Sequence, residues 1–491
     1  MVLVLTVVVL QSISFSNYAL TTTTTNIIYG SAPYLTFDGG RTRITNTEAL
    51  LGISLSDGRT FTPTNNNSSD NPIELPVAGQ SFNDIGMLVP TDTDSIALSS
   101  LIGTPYNYWG DDDGDGQGID GITATGSLNL SITDRRGQSV ARNEVPTICK
   151  APYRLTLSNS EGILTTRYGV PNESRFTAGN ATYYINPKAA PAICYARPNL
   201  RFGNLEQARV NGRDGWFNFA GPADIWNPDK GFLTQSATPS SYGLNFPTTG
   251  ANNLYFDLDI GGSNQALSWA SISHGGITAT MTNSTSTSVR VTLTGPVATE
   301  SQWLSNAPGR IARPSLPQVF ELVGRDSSGN AVVKYGFELK QWFVNRGFIA
   351  NSPSDYTIKI LMWCAELGYR LPNVRDLTNA VCGGSNSRPS DFCRDGNIRP
   401  VGATPSARNN FYIRHIGAGF FTEWGLMADY TGANFMRSRD GSGYYEERYF
   451  TQDATKPLTP GSAYYARFYV SAYDGHVINI FNTASGLCVY P

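Results

Sequence analysis

The chain has 491 residues, with 36 Lys plus Arg against 39 Asp plus Glu and a formal net charge of −3. That balance leaves no basic footprint, so neither nucleic acid nor an anionic membrane surface is an expected partner. Charged residues are only 15% of the chain while aromatics reach 11% and glycine numbers 49, a composition that favours β domains with long polar loops over a helical cytosolic enzyme. At this length, roughly three or four domains are expected.

Met1 to Leu10 are apolar except for Thr6, and no Lys or Arg precedes Arg41. A run of about ten apolar residues has the length of a signal-peptide core and is too short to span a bilayer. Ala19 stands where a cleavage site would need a small residue, although Asn17 suits the −3 position poorly and the basic leader residues are missing. Residues 1–25 are therefore expected to be a signal segment followed by the Thr-rich linker Thr21 to Thr25, in competition with a buried first strand or a fragment of a longer chain.

Residues 26–148 are expected to form an N-terminal β domain. Its best strand alternates Leu128, Leu130 and Ile132 with Asn129, Ser131 and Thr133, which sends the apolar side chains to one sheet face. Residues 149–334 are expected to be a second β-rich region. Tyr153, Leu155 and Leu157, and later Val289, Val291 and Leu293, repeat the same period. Before residue 350 no segment sustains a helical period, and Gly and Pro punctuate throughout, so sandwich-like β domains are the expected architecture. Within this region residues 215–259 concentrate Trp216, Phe217, Phe219, Trp226, Phe232, Tyr242, Phe246, Tyr255 and Phe256. Such density can line a binding surface, but filling the core of a loop-rich domain is the commoner use of aromatics.

From residue 335 to 491 the pattern becomes α+β. FELKQWF (337–343) reads as a strand. Ser352, Pro353 and Asp355 then supply an N-cap, a first-turn proline and an acidic N3 residue. Tyr356, Ile360, Trp363 and Leu367 follow at helical spacing and Gly368 is placed to close the helix. Asn373 with Asp376 signals a second, short helix, and strands are expected at Ala466 to Val470 and Val477 to Ile480.

Chemistry-bearing motifs are few. Asp111, Asp113 and Asp115 have the 1, 3, 5 spacing of a calcium loop, Gly116 sits where the loop must turn, and Asp120 offers a further carboxylate. Ile122 occupies the position of the bidentate Glu, so a calcium site is expected here without an EF-hand. The six cysteines, Cys149, Cys194, Cys364, Cys382, Cys393 and Cys488, form no CxxC pair and have no His at metal-like spacing, which points to disulfides in an oxidising compartment rather than to zinc. Sequence alone leaves the connectivity open; the expected pairs are Cys149 with Cys194, Cys382 with Cys393, and Cys364 with Cys488. GxSxG, HExxH and Walker motifs are missing, no GxGxxG precedes a helix, and three histidines leave little room for acid–base work. The expectation is a binding protein and not an enzyme.

NPDKGFLTQS (227–236), YGLNFPTTGANNLYFDLDI (242–260) and ELKQWFVNRG (338–347) resemble adhesion-domain proteins related to enterobacterial invasins and intimins. WCAELGYRLPNVRDLTNAV (363–381) and RHIGAGFFTEWGLMADYTGANF (414–435) resemble the C-terminal C-type-lectin-like module of such proteins. The resemblance implies a mainly β chain of sandwich-like domains ending in a C-type-lectin-like domain, secreted or at a bacterial cell surface. It also implies a bridge from Cys364 to Cys488. The alternating strands of a large membrane β-barrel are missing, so direct membrane insertion is not expected and anchoring is left open. The calcium- and sugar-holding tripeptides Glu-Pro-Asn, Gln-Pro-Asp and Trp-Asn-Asp do not occur, so the expected partner is a cell-surface receptor, a protein rather than a glycan. Two other classes compete: a structural stalk or fibre subunit, and an enzyme on a formylglycine-generating-like fold, which RLPNVRDL (370–377) also resembles. The expected receptor-binding residues are Arg437, Arg439, Tyr444, Tyr445, Arg448, Tyr464, Arg467 and His476, because Tyr and Arg interleaved with Gly and Ser on loops are the composition of binding hot spots.

Overall fold

The alternation at Leu128, Leu130 and Ile132 becomes the strand Ser127–Thr133, with those side chains buried and Asn129 and Ser131 exposed. The structure, a computed structural model, describes residues 29–65, 67–114, 121–210, 213–347, 356–384, 400–435, 448–457, 465–479 and 485–491. It is mainly β with short helices, and the chain divides into two compact units, Met1–Lys188 and Ala189–Pro491.

In the first unit, Tyr153–Asn159 lies between Ser127–Thr133 and Gly179–Asn186, antiparallel to both, in a five-stranded sheet. A three-stranded sheet orders Glu173–Phe176, Gly162–Thr166 and Ile122–Ala124. Leu155, Leu157 and Tyr183 from the first sheet share one core with Leu164, Phe176 and Ile122 from the second. Each such large side chain, taken from water, stabilises the fold by about 1.5–3 kcal/mol before the entropy cost is subtracted. The expected boundary at 148/149 falls inside this unit, between two strands that pair with each other.

The second unit contains a seven-stranded sheet in which Ala192–Arg197, Leu254–Gly261 and Ser288–Thr294 lie side by side. Against it stands a three-stranded sheet of Ser268–Trp269, Gln318–Arg325 and Ala331–Leu339. Phe256 of the larger sheet meets Phe337 of the smaller edge-on at 6.0 Å, and Phe337 stacks on Phe320 at 5.2 Å, which makes the pair a sandwich with an aromatic core. Position 334/335 lies within the strand Ala331–Leu339 and inside one continuous core that runs from Ile193 to Val489.

The remainder of the second unit is α+β. Gln341–Gly347 pairs in parallel with the short strand Thr249–Ala251 and antiparallel with the final strand Gly486–Tyr490. The helix Tyr356–Leu367 packs beside that final strand, and the Cys364–Cys488 disulfide links the two. Gly368 follows the helix at φ +88°, the left-handed closing position that glycine adopts without a Cβ penalty. The expected cap at Ser352, Pro353 and Asp355 lies outside the described residues. A second sheet joins Arg448–Pro457, Tyr465–Ser471 and Val477–Ile478. Among the described residues no helix is long and apolar enough to cross a membrane.

Candidate binding site

The segment Arg370 to Leu377 builds one wall of a surface groove. Asn373 caps the helix Val374–Leu377, and the Asp376 carboxylate reaches back to accept from Asn373 N at 2.7 Å. Arg370 Nη1 at 2.6 Å and Gln341 Nε2 at 3.0 Å donate to the same carboxylate. Burial works to raise the pKa of Asp376, but the Arg370 guanidinium and the other donors outweigh it and hold the carboxyl below its ordinary range. The wall is thus fixed by a network that reaches into the neighbouring sheet.

Asp453, on the strand Arg448–Pro457, accepts from Val374 N at 2.6 Å and so ties that strand to the helix. Between them opens a groove of about 330 Å³ lined by Asn373, Arg375, Pro400, Val401, Asp453, Ala454 and Phe468. Arg375 is exposed, and Val401 is 73% exposed at the rim. Burial pushes the Asp453 carboxyl up, against the pull of the Val374 N–H and of Arg375. Burial pulls the neighbouring Arg467 guanidinium down, while Asp453 acts to raise it. The groove therefore offers the apolar groups of Pro400, Val401 and Phe468, an exposed cationic donor and an acid already half committed to the backbone, which suits a protruding side chain of a partner.

Of the expected receptor-binding residues, Arg437, Arg439, Tyr444, Tyr445 and Tyr464 lie outside the described residues. Arg467 is half-buried and donates through Nη1 to Gln452 O. Arg448 is half-buried at the start of a strand, opposite Ser471, and not on a free loop. His476 departs most from expectation: it is 1% exposed, its Nδ1 is 2.6 Å from Asp474 Oδ1, and a partner could not reach it. The glycine- and tyrosine-rich stretch read as loop folds inward there because Ser471, Asp474 and His476 close a tight turn between two strands.

Two polar residues that sequence reasoning passed over organise the unit. Arg414, completely buried, donates to four backbone carbonyls: Phe202 at 3.0 Å, Glu423 at 2.9 Å, Asn199 at 2.6 Å and Arg201 at 2.8 Å. Glu423, also completely buried, accepts from Thr248 and Thr249 through both backbone and hydroxyl, and from Gly417 N at 2.8 Å. Burial raises the Glu423 pKa and these donors act in the opposite direction. Both side chains are spent on structure.

In the first unit, Asp111 and Asp113 are described, whereas Asp115 and Asp120 lie outside the described residues. Asp113 Oδ2 accepts from Ser31 N at 2.7 Å, and the intervening Asp112 forms an ion pair with Arg43. Among the described residues no group of three His, Cys, Asp or Glu is disposed to hold a metal ion. Cys149, Cys194 and Cys382 are disulfide-bonded, as are Cys364 and Cys488; Cys393 lies outside the described residues. Most of the aromatic segment is core: Phe219, Trp226, Phe232, Tyr242, Phe246 and Phe256 are buried. Trp216 is the departure, 67% exposed on the outer face of the ribbon Leu205–Val210 and Arg213–Asn218.

No family model matches the chain, and no curated protein does. Among solved structures it is similar to the C-terminal 282-residue fragment of intimin, solved in complex with the intimin-binding domain of the translocated intimin receptor. The identity is 10%, the match covers 77% of this chain and 95% of the fragment, and the TM-score is 0.29. A second similarity is to SGBP-B of the Bacteroides ovatus mixed-linkage glucan utilization locus, solved with a mixed-linkage heptasaccharide, at 13% identity and a TM-score of 0.13, covering 45% of this chain and 64% of that one. This chain thus spans just under two thirds of SGBP-B, and at these scores neither likeness bears on function.

Proposed function

We propose that this chain is a non-catalytic adhesin, secreted or held at a bacterial surface, whose C-terminal C-type-lectin-like region binds a protein receptor on another cell. The observation that carries the reading is the groove around Arg375, Val401 and Asp453, a mixed apolar and charged cleft on a rigid scaffold. Disulfide-bonded cysteines in both units support an oxidising compartment, and the sequence resemblance to invasin- and intimin-related adhesins supports the role. Among the described residues Asp453 is the one acid lining the groove, and it already accepts from Val374 N, an arrangement better suited to orienting a partner than to paired acid–base chemistry.

The test is saturable binding of the full chain to epithelial cells, compared with an Arg375→Glu, Val401→Asp variant. Loss of binding by about thirtyfold, the effect of one hot spot of about 2 kcal/mol, with an unchanged melting temperature, is the expected result. Undiminished binding by the variant would remove the groove from the proposal. Calcium at the Asp111 to Asp120 loop belongs to the same reading, and calorimetric titration of the full chain with calcium decides it: binding heat is expected, and its absence rejects the ion.

A further inference from the structure

A second groove, of about 380 Å³, lies in the first unit and is independent of the receptor groove. Its residues come from two short strands that pair Tyr34 with Gly110 and Leu35 with Trp109. One wall is the turn after Leu35, where Gly40 N donates to Thr36 Oγ1 at 2.8 Å and Asp38 accepts from Thr42 N at 2.8 Å. Gly39 and Gly40 have φ of +72° and +91°, and a Cβ on Gly39 would meet nothing within 4 Å, so this wall is low and open. The other wall is the loop through Tyr108. Asn107 is left-handed at φ +50°, an uncommon conformation for a residue with a side chain, and its N–H donates to Gly103 O at 2.8 Å. Tyr108 N donates to Leu101 O at 2.7 Å, and Tyr108 O accepts from Thr36 N at 3.1 Å. The strained loop is pinned on both sides.

Phe37, Tyr106, Tyr108 and Trp109 are only half-buried here. The core beneath them is already filled by aliphatic residues such as Leu35, Leu98 and Leu101. The Tyr106 ring is oriented by its hydroxyl, 2.9 Å and 3.0 Å from the two Asp92 oxygens, and it tilts against Tyr108 with centroids 5.6 Å apart. Among the described residues none that lines the groove is charged; rings alternate with hydroxyls and the Asn107 amide. We propose that this groove is a binding site for a neutral hexose unit of a glycan. The C–H face of a pyranose carries partial positive charge and suits the electron-rich ring faces of Tyr and Trp. The interleaved hydroxyl and amide groups offer both donors and acceptors to sugar hydroxyls. An acyl chain would leave those polar groups unpaired, and the bordering Arg43 guanidinium, which lies over the Tyr34 ring, is already paired with Asp112 and not presented to an anionic sugar.

The test uses the full chain and four probes: maltohexaose, cellohexaose, chitohexaose and polysialic acid, by calorimetry and tryptophan fluorescence. At least one neutral hexasaccharide is expected to bind saturably and polysialic acid is not. Tyr108→Ala is expected to weaken that binding about tenfold or more, and Tyr108→Phe, which keeps the ring face, to retain it within about threefold. If Tyr108→Ala fails to unfold cooperatively, Trp109→Phe carries the test, because the ligand-induced fluorescence change is expected to vanish in it. Binding by none of the neutral probes, binding of polysialic acid alone, full binding by Tyr108→Ala, or a fluorescence change that persists in Trp109→Phe overturns the site.

Discussion

Glu423 Oε2 lies 2.6 Å from Thr249 Oγ1, and this contact joins a short helix late in the chain to a three-residue strand 174 positions earlier. The same strand pairs in parallel with Gln341–Phe343. The helix Phe420–Trp424 is therefore held to the sheet of Thr249–Ala251, Gln341–Gly347 and Gly486–Tyr490 by a buried carboxylate, while the apolar core is shared with the sandwich.

Replacing Glu423 by Ala leaves the Thr248, Thr249 and Gly417 donors buried without their acceptor. The expected loss of stability is about 2–5 kcal/mol, because several buried neutral donors, at about 1–3 kcal/mol each, lose their acceptor. Glu423→Gln keeps the volume but turns an NH₂ towards the Thr249 N–H, so it is expected to cost about 1–3 kcal/mol. Urea unfolding of both variants checks the order; a Glu423→Ala variant as stable as the parent would show that the carboxylate contributes nothing to the fold.

Asp376 makes stability depend on acid. Its folded-state pKa is depressed, so the unfolded chain binds the proton more readily, and the contribution is present above the unfolded value of about 3.9 and lost as pH falls through the lower folded value. Asp376→Asn is expected to destabilise by about 1–3 kcal/mol at pH 7. The difference from the parent should narrow as pH falls below about 4. Denaturation at a series of pH values measures this, and a gap that does not change with pH would contradict the ionised network.

His476 is expected to be a stability residue. His476→Ala removes a ring that is 1% exposed and bonded to Asp474, at an expected cost of about 1–3 kcal/mol. Receptor binding per folded molecule is expected to be unchanged. A variant with parental melting temperature and lost binding would return His476 to the binding surface.

What was legible in the sequence was local. Leu128, Leu130 and Ile132 announce a strand because a half-buried strand must alternate, Gly368 announces a helix end because only glycine closes it cheaply, and Asn373 with Asp376 announces a short helix through its cap. Arg414 and Glu423 could not be found in this way, since most of their partners, such as Asn199 for Arg414 and Thr249 for Glu423, lie far away in the sequence and nothing in the surrounding residues marks the two as buried. The same limit applies to His476, whose Gly- and Tyr-rich neighbours read as an exposed loop until the strands at Tyr465–Ser471 and Val477–Ile478 pair around it. The candidate groove is intermediate: Asn373 with Asp376 marks the short helix that carries Arg375, but the meeting of that helix with Asp453 depends on tertiary packing.

Attachment of the full chain to a protein on another cell is tested by its equilibrium binding to epithelial cells before and after the cell surface is shaved with protease. Saturable binding to intact cells is expected, lost after shaving and weak in the Arg375→Glu, Val401→Asp variant. Absence of saturable binding to intact cells, or equal binding to intact and shaved cells, would contradict that attachment.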